Sequence, residues 1–238
     1  MLPELQQQMR HKIWAVIPAA GSGSRFSKTQ LKQYQIIQGQ TVLEHTVSRL
    51  NDLPLSGYVL AISEDDSVAK TLNFTQPDKA HFCVGGAERV HSVLNALTYL
   101  SQIASNDDFV FVHDAARPCV TQDCLNRLVN TAIQEDCSVI LAIPVRDTLK
   151  FVEKSNNINK TVSRDNLWQA QTPQISKLGI LKHAIEQALQ DGVTITDESS
   201  ALEYVGESVK VVQGRSDNIK ITYSDDLELA KLILTVQK

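Results

Sequence analysis

None of the four cysteines, Cys83, Cys119, Cys124 and Cys137, forms a C-x-x-C pair, and no histidine falls at zinc-finger spacing from them. These absences argue against a structural zinc site, and the cysteines are expected as reduced thiols in or near a core. No apolar run approaches the roughly 20 residues that a membrane-spanning helix needs, so no membrane partner is expected. The opening MLPELQQQMRHK is polar and lacks the apolar centre of a signal peptide, which points to a cytoplasmic protein. Positive charge is in deficit: the net charge of −4 argues against a nucleic-acid coat and leaves room only for a local basic pocket. There is no internal repeat, low-complexity tract or linker. What remains, 42% hydrophobic and 21% charged residues over 238 positions, is an ordinary globular composition with ample length for a core.

Strand-like runs alternate with helix-like ones. Apolar runs at 14–18, 58–63, 81–84, 109–113 and 138–143 read as strands, the fourth (FVFVH) as a central one. Between them, 41–50, 88–100 and the segment capped by Thr121 carry apolar residues at helical spacing. This rhythm predicts a mostly parallel sheet covered on both faces. It breaks between Pro144 and Pro173, where β-like pieces at 148–153 and 159–163 flank the polar turn Lys154-Ser-Asn-Asn157. A hairpin leaving the main body is expected there. Helices at 178–189, in TDESSALEYVG and from Asp225, with a strand at 208–213, complete a single domain over 1–238 with an arm at about 144–173.

Three segments carry chemistry. AVIPAAGSGSRFSKTQLKQY, residues 15–34, ends an apolar run in small residues and then supplies Arg25, Lys28 and Lys32. It lacks the third glycine of the dinucleotide fingerprint, where Phe26 stands, and the second glycine of a Walker A loop. Glu44, at about the ribose-binding distance for a dinucleotide, lies within a helix rather than at a strand end. Small residues let backbone N–H groups approach an anion, and the cations suit a triphosphate attacked at its α-phosphorus. Alone, the loop also reads as a Gly-Ser turn with solvated basic residues. GGAERVHSV, 85–93, places two glycines before a helix, where a base can lie against backbone and Ser92 can reach base or ribose; an ordinary loop-to-helix junction reads equally well. FVFVHDAARPCV, 109–120, sets Asp114 just past a central strand, a natural Mg²⁺ position beside a triphosphate. A cap or turn role is the alternative there. Arg117 can reach a second anion, and His113 reads as packing rather than as a base.

Together with LKQY (31–34), VLEHTV (42–47), PVRDTLK (144–150), TVSRDNLWQAQTPQ (161–174), TITDESSALEY (194–204) and GRSDNIKIT (214–222), these segments resemble the 2-C-methyl-D-erythritol 4-phosphate cytidylyltransferases over nearly the whole chain. The resemblance implies an α/β, Rossmann-like three-layer sandwich with a mixed, mostly parallel sheet and a protruding β-hairpin arm. It implies transfer of a cytidylyl group from CTP to 2-C-methyl-D-erythritol 4-phosphate by direct displacement, with Mg²⁺ or another divalent cation. On it, Pro18, Ala19, Ala20, Gly21 and Gly23 cradle the triphosphate, and Arg25 and Lys32 stabilise the reacting phosphate. Gly86, Ala87 and Ser92 surround cytosine and ribose, Asp114 supports the metal, and Lys220 contacts phosphate near it. Arg117, Thr148, Arg164, Thr172 and Thr196 form the acceptor site. The arm exchanges between two subunits, so that a homodimer forms and Arg164 reaches the partner's site.

Two positions depart from the family pattern. Leu31 stands where proline often precedes the lysine, and Ala87 stands where a polar or acidic residue is common. The nearest rival, a ribitol 5-phosphate cytidylyltransferase, is disfavoured by Ala20 and by the TVSRDNLW arm. A non-catalytic nucleotide-binding module is disfavoured because Arg25, Lys32 and Asp114 are all present.

Overall fold

Ile13–Pro18 forms β1, whose side chains alternate between two cores. Ile13, Ala15 and Ile17 enter one, Trp14 and Val16 the other, as expected of a strand covered on both faces. The structure is a computed structural model that describes residues 11–21, 23, 25–27 and 30–237; Lys28 lies outside the described residues. The other strands are β2 (Ile36–Ile37), β3 (Gln40–Thr41), β4 (Gly57–Ile62), β5 (Ala80–Val84), β6 (Phe109–Val112), β7 (Ser138–Pro144), β8 (Leu149–Val152), β9 (Ile158–Val162), β10 (Trp168–Lys177) and β11 (Val209–Gln213). The helices are α1 (Val42–Asn51), α2 (Arg89–Leu100), α3 (Gln122–Glu135), α4 (Leu178–Gln190), α5 (Glu198–Tyr204) and α6 (Ser224–Val236).

Seven strands form one sheet in the order β11-β7-β10-β6-β1-β4-β5. All run parallel except β10, which pairs antiparallel with both β6 and β7. Helices α1 and α3 pack on one face, and α2, α4 and α5 on the other. The α/β three-layer expectation therefore holds, with a mixed sheet. Helix α6 closes a smaller core of Ile37, Val42, Ala116, Cys119 and Ile221. The cysteines are free thiols, Cys119 and Cys124 buried and Cys83 and Cys137 partly so. Among the described residues no helix is long and apolar enough to cross a membrane.

Strand β10 corrects the expected extent of the arm. Residues 168–173 run inside the central sheet, not in a projection from it. Pro173 obscured the strand in the sequence because it has no N–H for a ladder. It is accommodated where the pairing with β7 shifts register between Gln171 and Gln174. The polar side chains also concealed burial, yet Gln171 reaches the Arg215 carbonyl and Gln174 reaches Asp197 and the Ser199 N–H. The antiparallel β8–β9 pair forms a two-stranded sheet of its own, and every residue from Phe151 to Thr161 is exposed.

Thr41 begins α1 with a reciprocal cap. Its hydroxyl accepts the Glu44 N–H at 3.1 Å, and Glu44 accepts the Thr41 N–H at 2.7 Å. Thr41→Ala is expected to lower unfolding free energy by about 1 kcal/mol, read from the denaturation midpoint. An unchanged midpoint would show that the cap is dispensable.

Candidate active site

The carboxyl ends of β1, β5 and β6 converge on one cleft of about 440 Å³, where open α/β sheets bind ligands. The loop after β1 starts on fixed ground: Ala19 N–H donates to the Ala61 carbonyl, and Gln33 Nε2 donates to the Ala19 carbonyl at 2.9 Å. Gly23 has φ +62°, and a Cβ there would stand 3.4 Å from Lys32 Cγ. That backbone favours glycine and lets the Lys32 stem pass close by. Opposite, a Cβ on Gly85 would come within 2.4 Å of Ala20 Cβ, so only glycine lets the two loops meet. Ser92 Oγ accepts the Gly86 N–H at 3.0 Å and donates to the Glu88 carbonyl. Its hydroxyl shapes the turn.

Twelve expected residues line this cleft: Pro18, Ala19, Ala20, Gly21, Gly23, Arg25, Lys32, Gly86, Ala87, Ser92, Asp114 and Lys220. The five expected acceptor residues do not. Arg117 lies behind Asp114 and donates to the Asn218 carbonyl at 2.7 Å. Thr172 is buried, and Thr148, Arg164 and Thr196 are exposed elsewhere. Arg164 donates to the Arg146 carbonyl at the base of the arm.

Asp114 organises the charges. Arg89 Nε lies 3.0 Å from Oδ1, while Lys220 Nζ at 2.9 Å and Arg117 Nε at 3.4 Å reach Oδ2. Burial alone would raise its pKa, but Arg89, Lys220 and Arg117 outweigh burial and hold it well below the usual carboxylate range. Lys32 is pulled the other way: burial first, then Lys220, Arg25 and Arg117, lower its pKa against the pull of Asp114. The cleft thus concentrates positive charge around one ionised carboxylate. Among the described residues no group of three or more His, Cys, Asp or Glu side chains is placed to hold a metal. Asp114 and Glu88 are the carboxylates that line the cleft, a donor set that suits magnesium only where phosphate and water supply most of its shell.

A family model, IspD: 2-C-methyl-D-erythritol 4-phosphate cytidylyltransferase, matches residues 13–236. The chain belongs to this family. It is 71% identical over 231 residues to the 2-C-methyl-D-erythritol 4-phosphate cytidylyltransferase of Acinetobacter baumannii (strain AYE), covering 97% of each chain. It is 66% identical over 238 residues to that of Acinetobacter baylyi, covering 100% of each. Among solved structures, the family member from Francisella tularensis superposes with a TM-score of 0.81 at 39% identity, covering 93% of this chain and 99% of that one. The resemblance seen in the sequence is borne out.

Two cleft features of this family member escaped the sequence reading. Gln33 seemed part of a lysine-bearing motif, yet its buried amide ties the loop to β1's end. Arg89, within GGAERVHSV, bridges Asp114 to Glu198, a partner 109 positions away that gave no local signal.

His113 is buried, as expected for a packing role. The Arg117 carbonyl accepts from Nε2 at 3.0 Å, so Nδ1 accepts from the Thr172 hydroxyl at 3.0 Å. Thr172 in turn accepts the Asp114 N–H at 3.0 Å. Burial lowers the His113 pKa to about 4; Asp114 and the Arg117 carbonyl oppose the shift, and Arg117 and Arg89 add to it. An unfolded histidine titrates near about 6.5, so between the two values the unfolded chain alone binds the proton. This contribution is complete above about pH 6.5 and is lost as pH falls toward about 4. Thermal melts from about pH 7 to about pH 5 should show that loss, and His113→Gln should flatten it. Equal slopes in both proteins would remove His113 as the cause.

Proposed function

We propose that this chain transfers the cytidylyl group of CTP to 2-C-methyl-D-erythritol 4-phosphate and releases pyrophosphate, a step in non-mevalonate isoprenoid precursor synthesis. The observation that carries the reading is the cleft itself, with Arg25, Lys32 and Lys220 around Asp114 at the carboxyl ends of the strands, in a chain of this family. Both reactants are polyanions, and their repulsion must be screened before they can meet.

The triphosphate lies along Ala19–Gly21 and Gly23, with its base beside Gly86 and Ala87 on the turn that Ser92 braces. An ionised oxygen of the acceptor phosphate attacks the α-phosphorus. A new P–O bond forms, and the bond to the bridging oxygen of pyrophosphate breaks. No proton needs to be removed from the nucleophile, which suits a site whose histidine is buried and neutral. Arg25 and Lys32 stabilise charge growing on the α-phosphate oxygens. Lys32 is suited to this because it is part-buried among other cations, so a developing negative charge relieves it. Asp114 would hold a magnesium ion, which when bound supplies charge neutralisation on the phosphates, and Lys220 contacts phosphate near it.

The acceptor site forms from Arg117, Thr148, Arg164, Thr172 and Thr196 when two copies exchange arms. Supporting this, Phe151, Val152 and Ile158 are exposed on a two-stranded ribbon, and Leu167 is exposed where the arm rejoins the body, more apolar surface than a solvated arm needs. The unit is one nucleotidyltransferase domain that works in the cytoplasm as a homodimer.

Pyrophosphate release with CTP and methylerythritol phosphate, compared with UTP, ATP and ribitol 5-phosphate, tests the reading directly. Release is expected with the first pair; preference for ribitol 5-phosphate would replace the acceptor. Lys32→Ala should lower kcat by about 10²- to 10³-fold, and near-normal turnover would end its catalytic role. Arg164→Ala should raise KM for the sugar phosphate and leave CTP affinity, measured calorimetrically, nearly intact. A large loss of CTP affinity would move Arg164 out of the acceptor site.

A further inference from the structure

Arg89 and Glu198 come from two helices on the same face of the sheet and meet beside Asp114. Arg89 opens α2, directly after the Gly85–Glu88 turn, and Glu198 opens α5, directly after Thr196 and Asp197. The Glu198 carboxylate is 3% exposed and accepts both terminal nitrogens of the guanidinium, Nη1 at 2.7 Å and Nη2 at 3.1 Å. Nε is thereby turned to Asp114 Oδ1 at 3.0 Å. A buried ion pair adds little net stability, because desolvation cancels much of its attraction. A two-pronged arginine–carboxylate pair does supply fixed geometry. The first turn of α5 is also held from β10, where Gln174 donates to Asp197 at 2.8 Å and accepts the Ser199 N–H at 2.9 Å.

We propose that Arg89 and Glu198 are a positioning pair. Glu198 locks the Arg89 guanidinium edge-on to Asp114, and so holds the Thr194–Asp197 turn in register with the Gly85–Glu88 turn. The inference rests on the function proposed above, which gives these two turns to the acceptor and the nucleotide. Without the charge of Glu198, two guanidinium nitrogens are released beside Asp114, which they can chelate in place of the single Nε contact. The nucleotide turn remains tied through Ser92 and Gly86, while the acceptor turn loses its link to α2.

Steady-state kinetics with CTP and methylerythritol phosphate, each varied, on wild type, Glu198→Gln, Arg89→Lys and the double variant test the pair. Glu198→Gln keeps shape and removes charge; it should raise the acceptor KM about tenfold or more and change the CTP KM by less than about threefold. Arg89→Lys keeps charge and loses the fork, so it should raise the acceptor KM comparably. The double variant should be no worse than the worse single one, because the pair acts as a unit. KM does not depend on the fraction of enzyme folded, so a merely structural role lowers apparent kcat and leaves KM alone. That result overturns the proposal, as do losses that multiply in the double variant. Should Glu198→Gln yield too little folded enzyme, Arg89→Lys carries the same test. A wild type inactive with these substrates overturns the function and the pair with it, whereas an active wild type with unaltered acceptor KM in the variants overturns the pair alone.

Discussion

At the end of β6 a carboxylate is buried where a lone charge would be prohibitive. Asp114 stays ionised there because three cations from three separate segments reach it: Arg89 from the start of α2, Arg117 from the turn after β6, and Lys220 from the stretch before α6. The same carboxylate therefore draws together the turn beside the cleft, the end of the central strand and the closing segment of the chain. Its backbone is held just as tightly, through Thr172 and His113 to the Arg117 carbonyl. If that charge were removed, three cations would face one another around the same space.

The charge balance of the cleft is the reverse of that of the whole chain. A molecule of net charge −4 gathers Arg25, Lys32 and Lys220 along one wall system with Asp114 as the buried counter-charge. The cost is visible at Lys32, whose charged form is disfavoured first by burial and then by its cationic neighbours. A polyanion relieves that cost on arrival, so binding energy and transition-state stabilisation come from the same unfavourable arrangement. The burden sits in side-chain electrostatics, while glycines at 23 and 85 let the loops approach without strain.

Much of this was legible in the order of residues. The apolar spacing over 41–50 announced α1, and the continuous apolar run FVFV announced a strand covered on both faces. The small-residue loop and Asp114 fell where expected, since the end of a buried strand fixes where the next few residues of the chain must lie. Strand β10 was not legible, because Pro173 and the four buried polar side chains Gln171, Thr172, Gln174 and Ser176 look unlike a central strand until distant partners satisfy them. Nor was Glu198, whose partner is remote in sequence. Arg117 and Thr172 read as ligand contacts, but a single chain turns both inward, toward Asp114 and His113.

The sequence by itself determined the alternation of buried strands and helices, the cleft-lining loops and the family, because these depend on local periodicity, caps and short motifs. Only the tertiary structure decided that β10 runs antiparallel at the centre of the sheet, that β8 and β9 pair apart from it, and that Arg89 is held between Asp114 and Glu198. The physical reason is common to all three. Polar groups and prolines are judged by the partners they find on burial, and those partners lie tens to more than a hundred residues away.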